Sequence, residues 1–373
     1  MKILIINWQC IKNPLGGGAE VHLHEIFKRL AFKGHKITLY CSMFEGAKTE
    51  EIIDGIKIIR NGNRNLFNFT VKKMYKKIFS KQGFDIIIDD INKIPFYTPI
   101  FVKEPLLAIS HHFFGKSIFL ETNPILGAYV YLSEKLVDYY YKETPFAVVS
   151  QSTLDEFLSR GFDRKLFTIV PNAINPNEFP MKVGEKYPYP VITYFGRLKK
   201  YKSIDHLFVA FAKICNKFPQ AKLHIIGKGD FQPYLEKLSK KLNIFEKVKF
   251  FGFVEENLKK LELSLSHCVV NTSMKEGWGI TNIEANACGT PVISANVQGL
   301  RDSVLENTSG LLYEYGNIDE LSNLLTEILS NNDLREKLSY GAVNWAKTFS
   351  WDRSAELMEQ KIIDVINNFT SRC

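Results

Sequence analysis

The sequence predicts an α/β fold of two Rossmann-like, doubly wound domains, and three observations carry that prediction. Short apolar runs alternate with amphipathic segments of helical period along the whole chain, the pattern of parallel sheets covered by helices. The 373 residues exceed one ordinary core, since a domain takes about 100–200 residues. A Pro/Asn-rich segment, Pro171-Asn172-Ala173-Ile174-Asn175-Pro176, with a Pro-rich stretch at Lys186–Pro190 beyond it, interrupts the alternation and is the natural linker. The expected domains are 1–172 and 173–351, with a last helix in 352–373 packing back on the first.

Lys2–Asn7 reads as a buried first strand, followed by a loop and Gly16-Gly17-Gly18-Ala19-Glu20. Val21, Leu23, Ile26, Phe27 and Leu30 then repeat at helical spacing up to about Lys33, and Gly34-His35 ends the helix before a strand at Lys36–Cys41. The triple glycine either cradles a phosphate at the helix start or is a plain loop cluster. It is not the dinucleotide fingerprint, which needs G-x-G-x-x-G directly after the strand.

Ile52–Arg60 is predicted as one strand, and a helix follows in 67–81. Lys72, Lys73, Lys76, Lys77 and Lys81 share one face of it, opposite Val71, Met74, Tyr75, Ile78 and Phe79. Such a helix either rests on an anionic bilayer or presents a solvated face over a core stripe. Phe84–Asp89 and Leu106–Ser110 read as parallel strands. The second ends at His111-His112, in the region beyond strand carboxyl ends where open α/β sheets hold ligands. The aromatic stretch Phe113–Thr144 is expected to form helices that either meet an apolar acceptor or simply pack. Ala147–Ser150, Gln151–Arg160 and Thr168–Val170 complete the first domain as strand, helix and strand.

In the second domain, Val191–Phe195 is a strand leading to Gly196, Arg197 and Lys202, and Ile204–Phe218 a helix. Two cations between a strand and a helix either bind a diphosphate or are surface charge. A strand at Lys222–Ile226, a helix at Tyr234–Leu242 and a strand at Val248–Phe251 precede the Gly252-Phe253-Val254 loop. The strand His267–Asn271 then delivers the chain to Ser273–Ser294, in which Glu276 and Glu284 stand eight residues apart. A Gly277-Trp278-Gly279 turn separates Glu276 from a helix starting near Thr281. The unpaired N–H groups of that helix start suit a diphosphate, and Glu284, one turn in, suits the two hydroxyls of a ribose. The plainer alternative makes Glu276 a helix cap and Glu284 a solvated side chain. A strand at Pro291–Ser294 and helices at Ile318–Ser330, Asp333–Thr348 and Ser354–Asn368 follow.

A formal charge of +8 and a pI near 8.9 fit anionic ligands or an anionic membrane surface. No nucleic-acid motif or block of like charge accompanies them, so nucleic acid is not an expected partner. Cys10, Cys41, Cys215, Cys268, Cys288 and Cys373 are scattered without metal-ligand spacing and read as reduced, mostly buried thiols. No signal-peptide core or membrane-spanning run occurs, so the expected location is cytoplasmic, peripheral to the inner face of a membrane if the basic helix meets lipid.

Taken in order, these pieces resemble the retaining sugar-nucleotide enzymes of glycosyltransferase family 4, which have the GT-B fold of two Rossmann-like domains facing across a cleft. The resemblance spans nearly the whole chain: GGAEVHLHEIFKRLAFKGHKITLYC, VPNAINPNEF, YFGRLKKYKSIDHL, LHIIGKGD, VKFFGFV and, most specific, SMKEGWGITNIEANACGTPVIS with its E-x7-E pattern. It implies that Glu276 contacts donor-sugar hydroxyls, Glu284 the ribose, and Arg197 and Lys202 the departing diphosphate. Gly196 and the Gly277-Trp278-Gly279-Ile280-Thr281 run would complete the donor site, with Phe253 and Val254 at the base. Gly17 and Gly18 would face the phosphates and acceptor from the first domain. His111, or His112 if the register shifts by one, would lie beside the reacting sugar. Two places depart from the family pattern: Ser203 stands where glycine is usual, and Gln298-Gly299-Leu300-Arg301-Asp302 replaces Gly-Gly-x-x-Glu.

The function implied is transfer of a hexosyl group from a UDP- or GDP-sugar to a hydroxyl of a glycan or lipid-linked acceptor, with retention, in cell-surface polysaccharide or glycolipid synthesis. No Asp-x-Asp occurs, so no metal and no cofactor are expected. The rival readings are a sugar-nucleotide 2-epimerase of the same architecture, a dinucleotide-dependent oxidoreductase, and a non-catalytic nucleotide-sugar-binding subunit.

Overall fold

The computed structural model describes residues 1–91, 94–120 and 122–371; Cys373 and the end of the 352–373 segment lie outside the described residues. The chain divides into unit 1, Met1–Asn172 with Trp351–Cys373, and unit 2, Ala173–Ser350. Both are α/β units built on a single sheet.

Unit 1 contains β1 (Lys2–Ile6), α1 (Gly18–Phe32), β2 (Lys36–Cys41), β3 (Glu50–Ile53), β4 (Ile56–Arg60), α2 (Phe67–Lys77), β5 (Ile86–Ile91) and β6 (Leu106–Ser110). It continues with α3 (Pro124–Lys135), α4 (Val137–Tyr140), β7 (Phe146–Val148), α5 (Gln151–Ser159) and β8 (Phe167–Ile169). The sheet order is β3-β4-β2-β1-β5-β6-β7-β8. Every pairing is parallel except the β3–β4 hairpin, and Ile3 pairs with Ile37 on one side and Ile86 on the other. Helices on both faces leave Ile3, Leu4, Ile5 and Ile6 without solvent contact, which is why β1 is a continuous apolar run and not an alternating one.

Unit 2 contains β9 (Val191–Phe195), α6 (Ile204–Ile214), β10 (Lys222–Ile226), α7 (Gln232–Lys241), β11 (Val248–Gly252) and α8 (Glu256–Leu265). β12 (Cys268–Asn271), α9 (Ile280–Ala287), β13 (Val292–Ala295), β14 (Gly310–Tyr313), α10 (Ile318–Ser330) and α11 (Asn332–Ala346) complete it. Its order is β11-β10-β9-β12-β13-β14, all parallel. The chain then returns to unit 1 as α12 (Trp351–Thr370), where Arg29 Nε meets Asp352 Oδ1 at 2.6 Å and Lys33 Nζ meets Glu359 Oε2 at 2.6 Å.

The helices expected over 67–81 and 204–218 end early, at Lys77 and Ile214, and three elements differ in kind from the sequence-based expectation. The single strand at Ile52–Arg60 is a hairpin, because Asp54 and Gly55 both take positive φ (47° and 81°), the geometry of a two-residue Asp-Gly turn. α8 and β14 are additions that the sequence pattern does not predict. α8 carries charged residues on most of its surface and buries only Lys259, Glu262 and Leu263, so its sequence lacks a clear apolar stripe.

Candidate functional site

In both sheets the strand order reverses beside the first strand, at β1/β5 in unit 1 and β9/β12 in unit 2. The loops leaving the carboxyl ends there form the crevice in which open α/β sheets hold ligands.

In unit 2, the β9 strand runs into Gly196 and a one-turn helix at Lys200–Lys202. Tyr194 Oη donates to the Arg197 carbonyl (3.1 Å) and Arg197 Nη2 donates to Tyr201 Oη (3.4 Å), so Arg197 is exposed but tethered at both ends. The turn is tied to the chain leaving β12: Thr272 Oγ1 donates to the Lys202 carbonyl (2.8 Å) and Met274 N to the Tyr201 carbonyl (3.0 Å). Across that tie, the Lys202 ammonium and the Glu276 carboxylate form an ion pair, with both side chains largely withdrawn from water. Burial works against the Lys202 charge, yet Glu276 outweighs it and raises the Lys202 pKa above its ordinary value.

Ser203 follows in the left-handed region (φ 48°), and its Oγ meets Tyr315 Oη at 2.8 Å. The left-handed backbone explains why glycine suits this position, and the Tyr315 contact is what a serine adds there.

Gly279 caps α9, so the helix starts at Ile280, one residue before the predicted Thr281. Thr281 Oγ1 accepts from Asn271 Nδ2 (3.1 Å). Trp278 turns inward, edge-on to Phe349 at 5.0 Å, and the Glu276–Gly279 turn rests on the 298–302 loop. A Cβ on Gly299 would fall 2.1 Å from the Glu276 carbonyl oxygen, and its φ is +78°, so the backing strictly requires glycine. Glu284 lies on α9 and is paired with Lys259 Nζ of α8 at 3.1 Å. Burial dominates at Glu284 and raises its pKa despite that cation. Phe253 and Val254 follow β11, the phenyl ring largely exposed.

In unit 1, Gly17 caps α1 and its N–H donates to Glu20 Oε2 (2.6 Å). A recess there is lined by Ile11, Asn13, Gly16, Gly17, Glu20 and Val21. A Cβ on Gly18 would meet nothing within 4 Å, and one on Gly17 only Glu20 at 3.9 Å. The fold itself therefore does not demand glycine at either position.

His111, just past β6, is buried, and its Nε2 meets Asp90 Oδ1 of β5 at 3.0 Å. Burial alone would lower the His111 pKa, but the Asp90 charge and hydrogen bond raise it above the ordinary 6.5. The His22 ring of α1 stands edge-on to His111 at 5.2 Å, and its Nε2 donates to the Val170 carbonyl (2.9 Å). Burial, then the His111 charge, drive the His22 pKa down to about 3, so His22 is neutral. His112 is less buried and lies against Phe114, with ring centroids 4.8 Å apart.

The structure thus joins Lys202 to Glu276 and sets Arg197 in the loop just before that turn, tied to its Tyr201, while Glu284 has its own partner in Lys259. Sequence reasoning misses Asp90, His22, Glu20 and Lys259. The one available signal is Asp89-Asp90 closing an otherwise apolar strand, where a buried carboxylate needs a reason. Lys72, Lys73, Lys76, Lys77 and Lys81 are all exposed, whereas Val71, Tyr75 and Phe79 are buried. Among the described residues no cluster of three or more His, Cys, Asp or Glu side chains could hold a metal, and no helix is long and apolar enough to cross a membrane.

Two family models match consecutive parts of the chain: glycosyltransferase family 4 over residues 16–178 and glycosyl transferases group 1 over 177–345. An uncharacterized glycosyltransferase of Methanocaldococcus jannaschii is 27% identical, over 95% of this chain and 96% of its own length. One subunit of the Homo sapiens phosphatidylinositol N-acetylglucosaminyltransferase is 24% identical over 79% of this chain and 62% of its own. Among solved structures, Anabaena HepE in complex with UDP-glucose superposes with a TM-score of 0.71 at 18% identity, covering 99% of this chain and all of that one.

Proposed function

This chain belongs to glycosyltransferase family 4, and we propose from that premise that it moves a hexosyl group from a UDP- or GDP-sugar to a hydroxyl of a glycan or lipid-linked acceptor, with retention. The observation that carries the proposal is the gathering of Arg197, Lys202, Glu276 and the start of α9 at the β9/β12 reversal of unit 2. Two cations and a helix N-terminus suit a diphosphate, and a carboxylate beside them suits sugar hydroxyls. HepE, which binds UDP-glucose, and the human phosphatidylinositol enzyme support a nucleotide-sugar donor and a lipid-linked acceptor respectively.

In this reading unit 2 holds the donor. Arg197, Lys202 and the α9 N–H groups stabilise charge developing on the leaving diphosphate, a task worth about 3–4 kcal/mol per well-placed donor. Gly196 and the Gly277–Thr281 turn surround the phosphates, Glu284 takes the ribose hydroxyls, and Phe253 with Val254 meet the base. The acceptor hydroxyl attacks from the face that the diphosphate leaves, and the departing oxygen takes its proton. Unit 1 is read as the acceptor-binding unit: the room at Gly17 and Gly18 would admit a ligand against the α1 start, and Asp90 holds His111, the histidine proposed to take part in the reaction. The reaction needs no divalent metal and no cofactor; undiminished turnover in EDTA is the expected check.

A thermal-shift panel of UDP-, GDP- and ADP-sugars tests the donor reading, since a ligand of the native state raises apparent stability by mass action. Stabilisation by a UDP- or GDP-sugar, followed by retained anomeric configuration in the product, is expected. Donor consumed without acceptor to give an epimer would replace the transferase reading with an epimerase. Binding with no turnover on any glycan or lipid acceptor would leave a non-catalytic binding protein.

A further inference from the structure

Helix α3 turns an apolar row of side chains outward. Its inner side buries Gly127, Val130, Ser133 and Glu134. On the opposite side Ile125, Tyr129, Leu132 and Leu136 follow one another at i, i+4, i+7 and i+11, and they are 82%, 42%, 61% and 46% exposed. A surface helix of a water-facing protein normally carries charge on that side. Here the next turns extend the apolar surface with Tyr139 and Tyr140, both exposed.

Among the described residues the exposed charge on α2 and α3 is positive. Tyr129 Oη accepts from Asn68 Nδ2 (3.1 Å), which sets α2 beside α3, and Lys72 and Lys76 follow Asn68 on the same side of α2 at successive turns. Lys73, Lys77 and Lys135 are exposed as well. Residues 66–81 contain no acidic side chain, and in 123–136 the single one, Glu134, is turned inward to accept from the N–H groups of Phe114 (2.6 Å) and Gly115 (2.8 Å). Asp138, the next, is paired with Arg160 at 2.6 Å.

We propose that the α3 ridge is the element by which unit 1 docks on an anionic lipid bilayer, its apolar side chains entering the acyl boundary while the α2 lysines meet the headgroups. A second copy of the chain fits less well, because pairing two such faces would bring the lysine rows together, whereas anionic lipid opposes them with the complementary charge. The inference goes beyond the proposed reaction: it concerns a surface and holds whichever donor is used.

The test is flotation of the full chain with phosphatidylcholine vesicles, with and without phosphatidylglycerol. The wild type is expected to float with the phosphatidylglycerol vesicles, and Ile125→Glu/Leu132→Glu to lose roughly tenfold or more of that binding. Its melting temperature and its shift with donor sugar should stay those of the wild type, which separates this surface from the donor site. Leu132→Trp, which keeps the ridge apolar, should show a blue shift of tryptophan emission on the same vesicles beyond any seen in the wild type. Failure of the wild type to float, equal flotation of the double variant, or no added blue shift in Leu132→Trp would each overturn the proposal. So would a wild-type dimer in sedimentation that the double variant abolishes, which would assign the ridge to a second copy.

Discussion

Lys202 and Glu276 neutralise each other, yet the proposed reaction uses them on different parts of the donor. Under that proposal a diphosphate arriving at Lys202 would compete for its ammonium and release the Glu276 carboxylate toward the sugar. Glu276→Gln and Arg197→Ala are expected to lower turnover by about 100-fold or more; steady-state rates near the wild-type value would refute both roles. Gly18 gives a sharper separation of fold from function. A methyl group there touches nothing within 4 Å and alanine favours a helix start, so Gly18→Ala should melt no lower than the wild type while losing activity. Asp90 acts through pH. It raises the His111 pKa, so the pair's contribution to stability is complete below the ordinary 6.5 and fades as pH rises through the higher folded value. Urea unfolding of the wild type and Asp90→Asn should therefore differ most at low pH and converge as the pH rises; a gap that widens with pH would contradict the assignment.

Among the elements, α8 and the 298–302 loop do their work from behind the site. Lys259 of α8 is itself buried, and removing it leaves the half-buried Glu284 carboxylate without that cation, at a cost approaching the about 3–5 kcal/mol of a fully buried pair. Lys259→Ala should lose stability on that scale and weaken nucleotide binding, both readable from melts with and without donor. The same elements mark where the sequence stops being readable. Strands β6, β9 and β10 and helix α10 are legible to the residue, because a fully buried strand or a clean 3.6-residue stripe leaves a pattern in the amino acids. The E-x7-E segment is legible through glycine and carboxylate spacing. α8 is not, since its inner side is polar and its partner, Glu284, is 25 residues away in sequence. The Asp90–His111 contact is hidden for a similar reason: neighbouring strands in a parallel sheet are joined by long crossovers, so nothing local announces the pair.

At the scale of the whole molecule, the two units differ in how the chain supplies them. Unit 2 is one uninterrupted segment, Ala173–Ser350, and that segment expressed alone is expected to melt cooperatively and to retain its thermal shift with the preferred nucleotide. Unit 1 also needs α12, which buries Trp351, Met358, Ile362 and Val365. At about 1.5–3 kcal/mol for each large side chain, that cover is comparable with a domain's entire stability of about 5–15 kcal/mol. The arrangement sets an order of events during synthesis. As the chain leaves the ribosome, the first sheet must wait, with one flank of α1 uncovered, while all of unit 2 is translated and folds. Only when α12 emerges does unit 1 acquire this cover, so a nonsense codon just after Ser350 should destabilise unit 1 and spare unit 2.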